Sequence, residues 1–374
     1  SAISNTEFMR NQHSFKENQI KHTSRKIQEG LDVIADERRF NPVAQMLRST
    51  TWDKVDRITE LLDIIGITDE VDSFGTVLVK KWLHQSVAMA FNNEDDPYGS
   101  DGVLVFQGNQ GIGKTLLFSK LAVRPEWFKD GAIIDVNIKD LIIQATSFWI
   151  TEMGEADQTL KKEQSALKAF ITANRDVYRV PYGKAFITKP RHTSFCATVN
   201  PEEFLNDDTG TRRFWVVRPT IDLDKVLGIT EDWSKQLWAQ VYETLYLPAP
   251  QEFRLSPEER EKLEARNTAY VKPMTGEVEI MDSFNFEATE SQWDWTTTSD
   301  VLQNINAKSV SSMHVGKVLA KLVRSHGLVK RKMIHGTKYF FMPPLRKSKL
   351  HPAEEDFDEV FPMDEHTGVE ARTA

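Results

Sequence analysis

Residues 106–117 read FQGNQGIGKTLL, in which glycines, a lysine and a threonine have the spacing needed to hold phosphate groups. The pattern G-x-x-x-x-G-K-[ST] is satisfied, after the apolar run VLVFQ and before the helical pattern TLLFSKLA. Backbone N–H groups of such a loop converge on phosphates, the lysine neutralises the β- and γ-phosphates, and the threonine hydroxyl is a ligand for Mg²⁺. We therefore predict a nucleotide-binding site made of Gly108, Asn109, Gln110, Gly111, Ile112, Gly113, Lys114, Thr115 and Leu116. The loop alone does not separate a kinase from a GTPase or a motor.

Two glutamates downstream are candidates for the acid that a hydrolytic site requires. Such an acid lies at the end of a neighbouring strand, where it holds Mg²⁺ and polarises water. Glu152 comes just past the apolar run in SFWITEMGEAD, and Glu155 follows about one turn later. We expect Thr115 and Glu152 to hold the metal, and the general base is either Glu152 or Glu155.

Polar residues also border the next two apolar runs. Asn200 directly follows the apolar run SFCATV, and at this strand end its side chain could orient an attacking water. Arg212 and Arg213 come just before the run FWVV. They are either solvated or structural residues, or an arginine finger presented to the nucleotide of a neighbouring subunit.

The segment RDVYRVPYGKAFITKPRH, between the acids and Asn200, predicts a β-hairpin with a basic tip. Its short apolar runs flank a turn at Tyr182 and Gly183. Arg179, Tyr182 and Lys184 are candidates for contact with the phosphate backbone of DNA, and the alternative is an ordinary solvated hairpin.

Five apolar runs rich in β-branched and aromatic residues alternate with helical patterns, which predicts an α/β fold with a largely parallel sheet. The runs are Val103 to Phe106, Ala132 to Val136, Phe148 to Thr151, Ser194 to Val199, and Phe214 to Val217. Ser256, Pro257 and Glu259 predict a capped helix start further on.

A compact basic unit begins near Thr296 and has the pattern of helices followed by a hairpin around His335 and Gly336. This pattern is typical of a winged helix, a module that binds either DNA or another protein. The candidate DNA contacts are Lys317, Lys321 and Arg324 on the helix and Lys330, Arg331, Lys332 and Lys338 on the wing.

Composition excludes several other classes of protein. The 374 residues carry a net charge of -8, and no apolar stretch has the length of a membrane span or the form of a signal peptide, so we expect a cytoplasmic protein. The single cysteine, Cys196, cannot form an internal disulfide, and the nine histidines lack the spacing of a zinc site.

The motifs together resemble the virulence-associated protein E family of phage and genomic-island proteins, which is placed with superfamily III helicases in the AAA+ class. The matching segments are GNQGIGKT, FWITEMGE, DVYRVPYGK and ATVNPEEFLNDDTGTRRFWVV and, more loosely, NPVAQMLRSTTWDKVDRITELL and KKWLHQSVAMAF. They cover most of residues 40–250. The YGK hairpin followed by T-x-N and G-x-RRFW is the specific part of the resemblance.

The resemblance implies a ring-forming, DNA-dependent ATPase, expected to be a hexamer, that replicates a mobile element in a bacterial host with host or phage replication proteins as partners. It thereby implies that the bound nucleotide is ATP. By position, Gly108, Gly111, Gly113, Lys114 and Thr115 match Walker A, Glu152 matches Walker B, Asn200 matches sensor 1, Arg212 and Arg213 match the finger region, and Lys184 matches the DNA-facing hairpin. Met153 departs from the pattern, since many relatives in the wider superfamily carry a second acid there.

The expected organisation has six segments. They are a flexible or helical segment 1–40, a helical collar-like domain 41–92, a P-loop AAA+ core 93–220, a helical connector 221–295, a winged-helix-like domain 296–342 and an acidic disordered tail 343–374. The expected function is that of a superfamily III helicase or translocase. The alternative is an origin-binding or initiation factor that uses nucleotide as an assembly switch without processive unwinding.

Overall fold

The computed structural model describes residues 40–154, 164–179, 186–200, 204–205, 211–305, 307, 309–325 and 329–346. The chain divides into two compact units, and the boundary lies between Lys272 and Pro273. This boundary falls within the segment 221–295, which the sequence patterns predict to be one connector. None of the described helices is long and apolar enough to cross a lipid bilayer.

The first unit is built on a sheet of five parallel strands, which confirms the predicted α/β class. The strands are β1 (Val103–Gln107), β2 (Phe128–Ala132), β3 (Ile150–Met153), β6 (Ser194–Val199) and β7 (Phe214–Val217). Their order in the sheet is β2-β3-β6-β1-β7. All five residues of β1 are buried, because the strand lies inside the sheet and helices cover both of its faces.

One predicted strand was placed wrongly. The apolar run Ala132 to Val136 contains only the last residue of β2, which begins at Phe128 instead. Lys129, Asp130 and Gly131 lie within the strand, and they are tolerated there because β2 is the edge of the sheet and leaves them partly or fully exposed. The apolar pattern alone therefore missed this strand.

Nine α-helices surround this sheet in the described part of the first unit. They are α1 (Pro42–Ser49), α2 (Arg57–Ile64), α3 (Asp69–Ala90), α4 (Lys114–Leu121), α5 (Lys139–Ala145), α6 (Gln164–Ile171), α7 (Leu223–Gly228), α8 (Glu231–Val241) and α9 (Pro257–Asn267). A separate antiparallel pair, β4 (Arg175–Arg179) and β5 (Phe186–Pro190), confirms the strands of the predicted hairpin.

The long helix α3 packs directly on the sheet. The indole of Trp82 donates a hydrogen bond of 2.8 Å to the carbonyl oxygen of Phe195, and the Gln85 amide donates one of 2.8 Å to the carbonyl of Gly102. The segment 92–102, which joins α3 to β1, is held in the same way, since the buried side chain of Asn92 donates to the carbonyls of Tyr98 and Arg191. Residues 42–107 and the sheet therefore share one core.

Helix α9 begins at the predicted cap. The Ser256 hydroxyl accepts from the backbone N–H of Glu259, whose carboxylate accepts from the backbone N–H of Ser256. At the other end, the side chain of Asn267 donates to the carbonyls of Thr211 and Phe214, at 2.8 Å and 2.9 Å. These bonds fasten the helix to the start of β7.

The second unit has the elements α10 (Glu277–Ser283), β8 (Asp294–Thr297), α11 (Thr298–Asn304), α12 (Ser312–Ser325), β9 (Lys330–Ile334) and β10 (Thr337–Met342). The three strands form an antiparallel sheet in the order β8-β10-β9. His335 and Gly336 both have positive φ angles, of 49° and 81°, as a two-residue hairpin turn requires, so the predicted turn is confirmed. Apolar residues of the three helices and of β10 form the core of this unit.

Candidate functional site

The glycine-rich loop follows β1 at the carboxyl edge of the sheet and leads into α4. Gly111 and Gly113 have φ angles of 86° and 92°, which side chains rarely adopt. Space is a second constraint at Gly113, where an added Cβ would lie 2.9 Å from a methyl group of Leu223. The loop therefore needs its glycines to turn the backbone into the first turn of α4.

Lys114 is the first residue of α4, and its side chain reaches back into this loop. Its ammonium group donates to the carbonyl oxygens of Gly108 and Asn109, at 2.6 Å and 2.7 Å, and to the side-chain oxygen of Asn200 at 3.1 Å. Burial lowers the pKa of Lys114, and the opposing effect of the Glu152 carboxylate is smaller. The loop thus concentrates one positive charge where its backbone would surround an anion.

Glu152 is buried at the adjoining strand end, with 4% of its surface exposed. One carboxylate oxygen accepts hydrogen bonds from the hydroxyls of Thr115, at 2.9 Å, and of Thr198, at 2.6 Å. Burial raises the pKa of Glu152, while these two hydroxyls and Lys114 act against the rise. The charge of Asp130, on the neighbouring strand β2, adds to the rise.

The structure therefore brings together Lys114, Thr115, Glu152 and Asn200, all four of which the sequence patterns select. Thr198 was missed, although its position two residues before Asn200 places it on the same side of β6 as that residue. Cys196, further back on β6, is fully buried, and burial raises the pKa of its thiol well above the usual value.

A cavity of about 400 Å³ adjoins the loop. Gly108, Asn109 and Ile112 line one side, and Arg218 and Thr220, which follow β7, line the other. Arg218 was also missed from sequence, although it is the first residue after the last apolar run and so belongs to the same edge of the sheet as the loop.

Arg212 and Arg213 lie on the opposite side of the sheet, where β7 and β1 begin. They form a turn of 3₁₀ helix before β7, and the first residue of β7 pairs with Val103, the first residue of β1. Arg213 is half-buried, and burial together with the charge of Arg212 lowers its pKa. Neither arginine joins the cluster around Lys114 of its own chain, because the length of β1 separates them from it.

Residues 47–272 match the family model of the virulence-associated protein E-like domain. The match ends at Lys272, the last residue of the first compact unit. The chain belongs to the virulence-associated protein E-like family. Membership of this family suggests a function related to replication.

No curated protein is significantly similar in sequence to this family member. Among solved structures, an A-form apo structure of the NrS-1 C-terminal region is 13% identical, with a TM-score of 0.46, over 80% of this chain and 78% of that chain. A second apo structure of the NrS-1 C-terminal region is 13% identical, with a TM-score of 0.44, over 79% and 77% of the two chains.

The hairpin of this virulence-associated protein E-like chain is anchored at its base. The buried side chain of Arg191 forms an ion pair with Asp176 and donates to the carbonyl of Phe170. Arg179 is the last residue of β4. Three other candidate residues, Glu155, Tyr182 and Lys184, lie outside the described residues.

The basic residues of the second unit do not act as one surface. Lys317 is exposed on α12, whereas Lys321 is mostly buried and pairs with Glu277 at 2.8 Å, and Arg324 lies in the last turn of the helix. On the hairpin, Arg331 is paired in register with the buried Phe340, while Lys330 is paired with Phe341. Because side chains alternate along a strand, Arg331 and Lys338 face one side and Lys330 and Lys332 the other.

Proposed function

We propose that this chain is an ATPase with a P-loop and an AAA+ core of the superfamily III helicase type, which acts on DNA in the replication of a phage or mobile genomic island, in the bacterial cytoplasm. The observation that carries the proposal is the convergence of Lys114, Thr115, Glu152 and Asn200 at one edge of a parallel sheet. Membership of the virulence-associated protein E-like family supports the link to replication.

Residues Gly108 to Leu116 would bind ATP. Lys114 would exchange the two loop carbonyls for β- and γ-phosphate oxygens, and backbone N–H groups at the start of α4 would meet the remaining oxygens. The cavity beside the loop is large enough for part of a small ligand, and Arg218 supplies a positive charge on its far wall.

Thr115 and Glu152 fit a Mg²⁺ site, because a hydroxyl and a carboxylate separated by 2.9 Å are hard oxygen donors of the kind that Mg²⁺ takes. Two protein ligands suffice, since Mg²⁺ usually keeps several waters and phosphate oxygens. Bound Mg²⁺ would neutralise charge on the phosphates. Thr198 would keep the Glu152 carboxylate oriented, since its hydroxyl donates to the same oxygen.

Hydrolysis would use Glu152 or Glu155 as general base, with Asn200 positioning the attacking water. Arg212 or Arg213 would reach the nucleotide of a neighbouring subunit in a ring, which we expect to be a hexamer. Their position at the far edge of the sheet supports a role in trans. Arg179, Tyr182 and Lys184 of the hairpin would face DNA in the channel of that ring.

The second unit would serve as a winged helix. Its element order α10-β8-α11-α12-β9-β10 and its sheet order β8-β10-β9 support this proposal, with the turn at His335 and Gly336 as the tip of the wing. Lys317 on α12 and Arg331 and Lys338 on the hairpin would contact the DNA backbone. Lys321 would instead stabilise the unit through its ion pair with Glu277.

The test compares Glu152→Gln with Lys114→Ala. The amide oxygen of Gln can still accept both threonine hydroxyls, so Glu152→Gln should bind a fluorescent ATP analogue while its phosphate release falls at least about 100-fold. Lys114→Ala should lose both phosphate release and binding of the ATP analogue. DNA-stimulated phosphate release at wild-type rates by both variants would contradict the proposal.

One observation favours a second candidate, the nucleotide-switched initiation factor. The side chain of Met153 is packed in the core, with 2% exposed, so β3 offers Glu152 as its only carboxylate. Weak hydrolysis would follow if Glu155 does not contribute. Unwinding of a forked duplex by the wild type, and its loss in Lys184→Ala, would favour the helicase; nucleotide-dependent assembly without unwinding would favour the initiation factor.

A further inference from the structure

The sheet of the second unit has an outer face that the described helices α10, α11 and α12 do not cover. In β10, the side chains of Phe340 and Met342 are buried in the core. Because side chains alternate along a strand, those of Tyr339 and Phe341 face the opposite side, where both remain partly exposed. Tyr339 and Phe341 therefore belong to the outer face.

Two cross-strand rows make up the outer face. In one row Phe341 is paired with Trp295 of β8 and Lys330 of β9, and in the next row Tyr339 is paired with Thr297 and Lys332. The rings of Trp295 and Phe341 are 5.1 Å apart, and the Lys332 ammonium lies 3.9 Å from the Trp295 ring centroid. The outer face thus combines aromatic rings with lysine ammonium groups that lie over them.

Its charge is cationic. The only carboxylate in the three strands, Asp294, is paired with the buried Met342 and therefore belongs to the other face. Glu290 approaches one corner, where it pairs with Lys330 at 2.9 Å, but both of these side chains are more than half exposed. Such an exposed pair contributes little energy and is readily exchanged for another anion.

We propose that the outer face binds single-stranded nucleic acid, with bases stacked on Trp295 and Phe341 and phosphates paired with Lys330 and Lys332. Base stacking on aromatic side chains beside basic residues is the physical basis of sequence-tolerant single-strand binding. Lys332 lies over the ring that a base would cover, so stacking would move its ammonium toward a phosphate.

Other anions fit this surface less well. A duplex keeps its bases stacked inside, so it could use the lysines but not the rings. An acidic protein segment has carboxylates without aromatic faces, so it too would leave the rings unused. The proposed site goes beyond ATP hydrolysis and requires no nucleotide, so it can fail while the ATPase proposal stands.

The test measures binding of the full chain to fluorescein-labelled dT20 without nucleotide, across a range of salt concentrations. Trp295→Ala should weaken binding about tenfold with little change in salt dependence, because it removes stacking but no charge. Lys332→Gln should lower the slope of log K against log salt by about 0.7, the value for one lost phosphate contact on a single strand. Met333→Ala, on the same strand but the opposite face, is the matched control and should change neither quantity.

A dT20 containing 5-iodouracil should in addition form crosslinks to peptides that contain Trp295 or Phe341. If circular dichroism shows that Trp295→Ala disturbs folding, the salt dependence of Lys332→Gln and the positions of the crosslinks test the proposal instead. Wild-type affinity and slope in both variants, or crosslinks only elsewhere, would overturn the proposal. Displacement of dT20 by polyglutamate of equal charge as readily as by unlabelled dT20 would also overturn it, in favour of an acidic protein partner.

Discussion

Removal of the Asp176 carboxylate should strongly destabilise the first unit. Arg191 has 1% of its side chain exposed, and its Nε donates to the two Asp176 oxygens at 3.2 Å and 3.0 Å. The guanidinium also donates to the carbonyl of Phe170 and lies 4.3 Å from the centroid of that ring. Asp176→Asn keeps the volume but leaves a buried positive charge without its counter-charge.

The cost of breaking a buried ion pair by removing one partner is about 3–5 kcal/mol. Total stabilities of domains are about 5–15 kcal/mol, so Asp176→Asn should remove a large fraction. In urea unfolding followed by circular dichroism, the midpoint should fall by about 1 M or more, given slopes of about 1–3 kcal/mol per M.

The controls separate burial from charge pairing as such. Lys235→Gln breaks a solvent-accessible ion pair of 2.7 Å with Glu231, and it should leave the urea midpoint nearly unchanged. The double variant Asp176→Leu with Arg191→Met should recover most of the loss, because neither charge remains buried. A loss below about 1 kcal/mol in Asp176→Asn, or a double variant no more stable than the single one, would refute this reasoning.

Three further predictions follow from single positions. Gly113→Ala should lower the free energy of unfolding by about 1–2 kcal/mol and weaken ATP-analogue binding, because the φ of 92° strains alanine and its Cβ would meet Leu223; urea titration and fluorescence measure the two effects. Ser256→Ala should cost about 1 kcal/mol through loss of the helix cap, visible in the same titration, and Ser256→Asp should restore most of it. Burial lowers the pKa of His84 from 6.5 to about 4, so the folded state keeps this ring neutral. Stability should therefore be full above pH 6.5 and fall by roughly 1–3 kcal/mol between pH 6.5 and 4, and His84→Gln should lack this component of the loss.

The loop and its partners were largely predictable from sequence, because each lies at the end of an apolar run. The carboxyl ends of parallel strands lie on one side of the sheet, so the positions of Lys114, Glu152 and Asn200 predict that they share that side. Their closeness follows from the strand order, in which β6 lies between β3 and β1. The capped start of α9 at Ser256 was equally local. In contrast, β2 carries Asp130 and Gly131 at an edge position, and nothing in its sequence marks it as a strand.

What escaped prediction depends on register and not on residue type. Thr198 is an ordinary threonine in a strand until β6 is placed beside β3, where its hydroxyl lies 2.6 Å from Glu152. The cations of the C-terminal hairpin likewise look like one basic cluster in sequence. The pairing of Lys330 with Phe341 and of Arg331 with Phe340 separates them onto two faces, and each face then has a different chemistry.

The arginines before β7 and the glycine-rich loop lie at opposite ends of the parallel strands. Arg213 stands beside the start of β1, whereas the glycine-rich loop follows its end, so the length of the strand, roughly 15 Å, lies between them. A residue that served its own nucleotide would need to lie at the carboxyl edge, as Arg218 does. In a ring of subunits, the amino ends of the strands in one subunit can face the carboxyl ends of the strands in the next. An arginine before β7 could then reach the nucleotide of its neighbour. The proposed ATPase would accordingly depend on assembly, and Arg218 of one subunit and either Arg212 or Arg213 of the next would act on nucleotide from opposite sides of one interface.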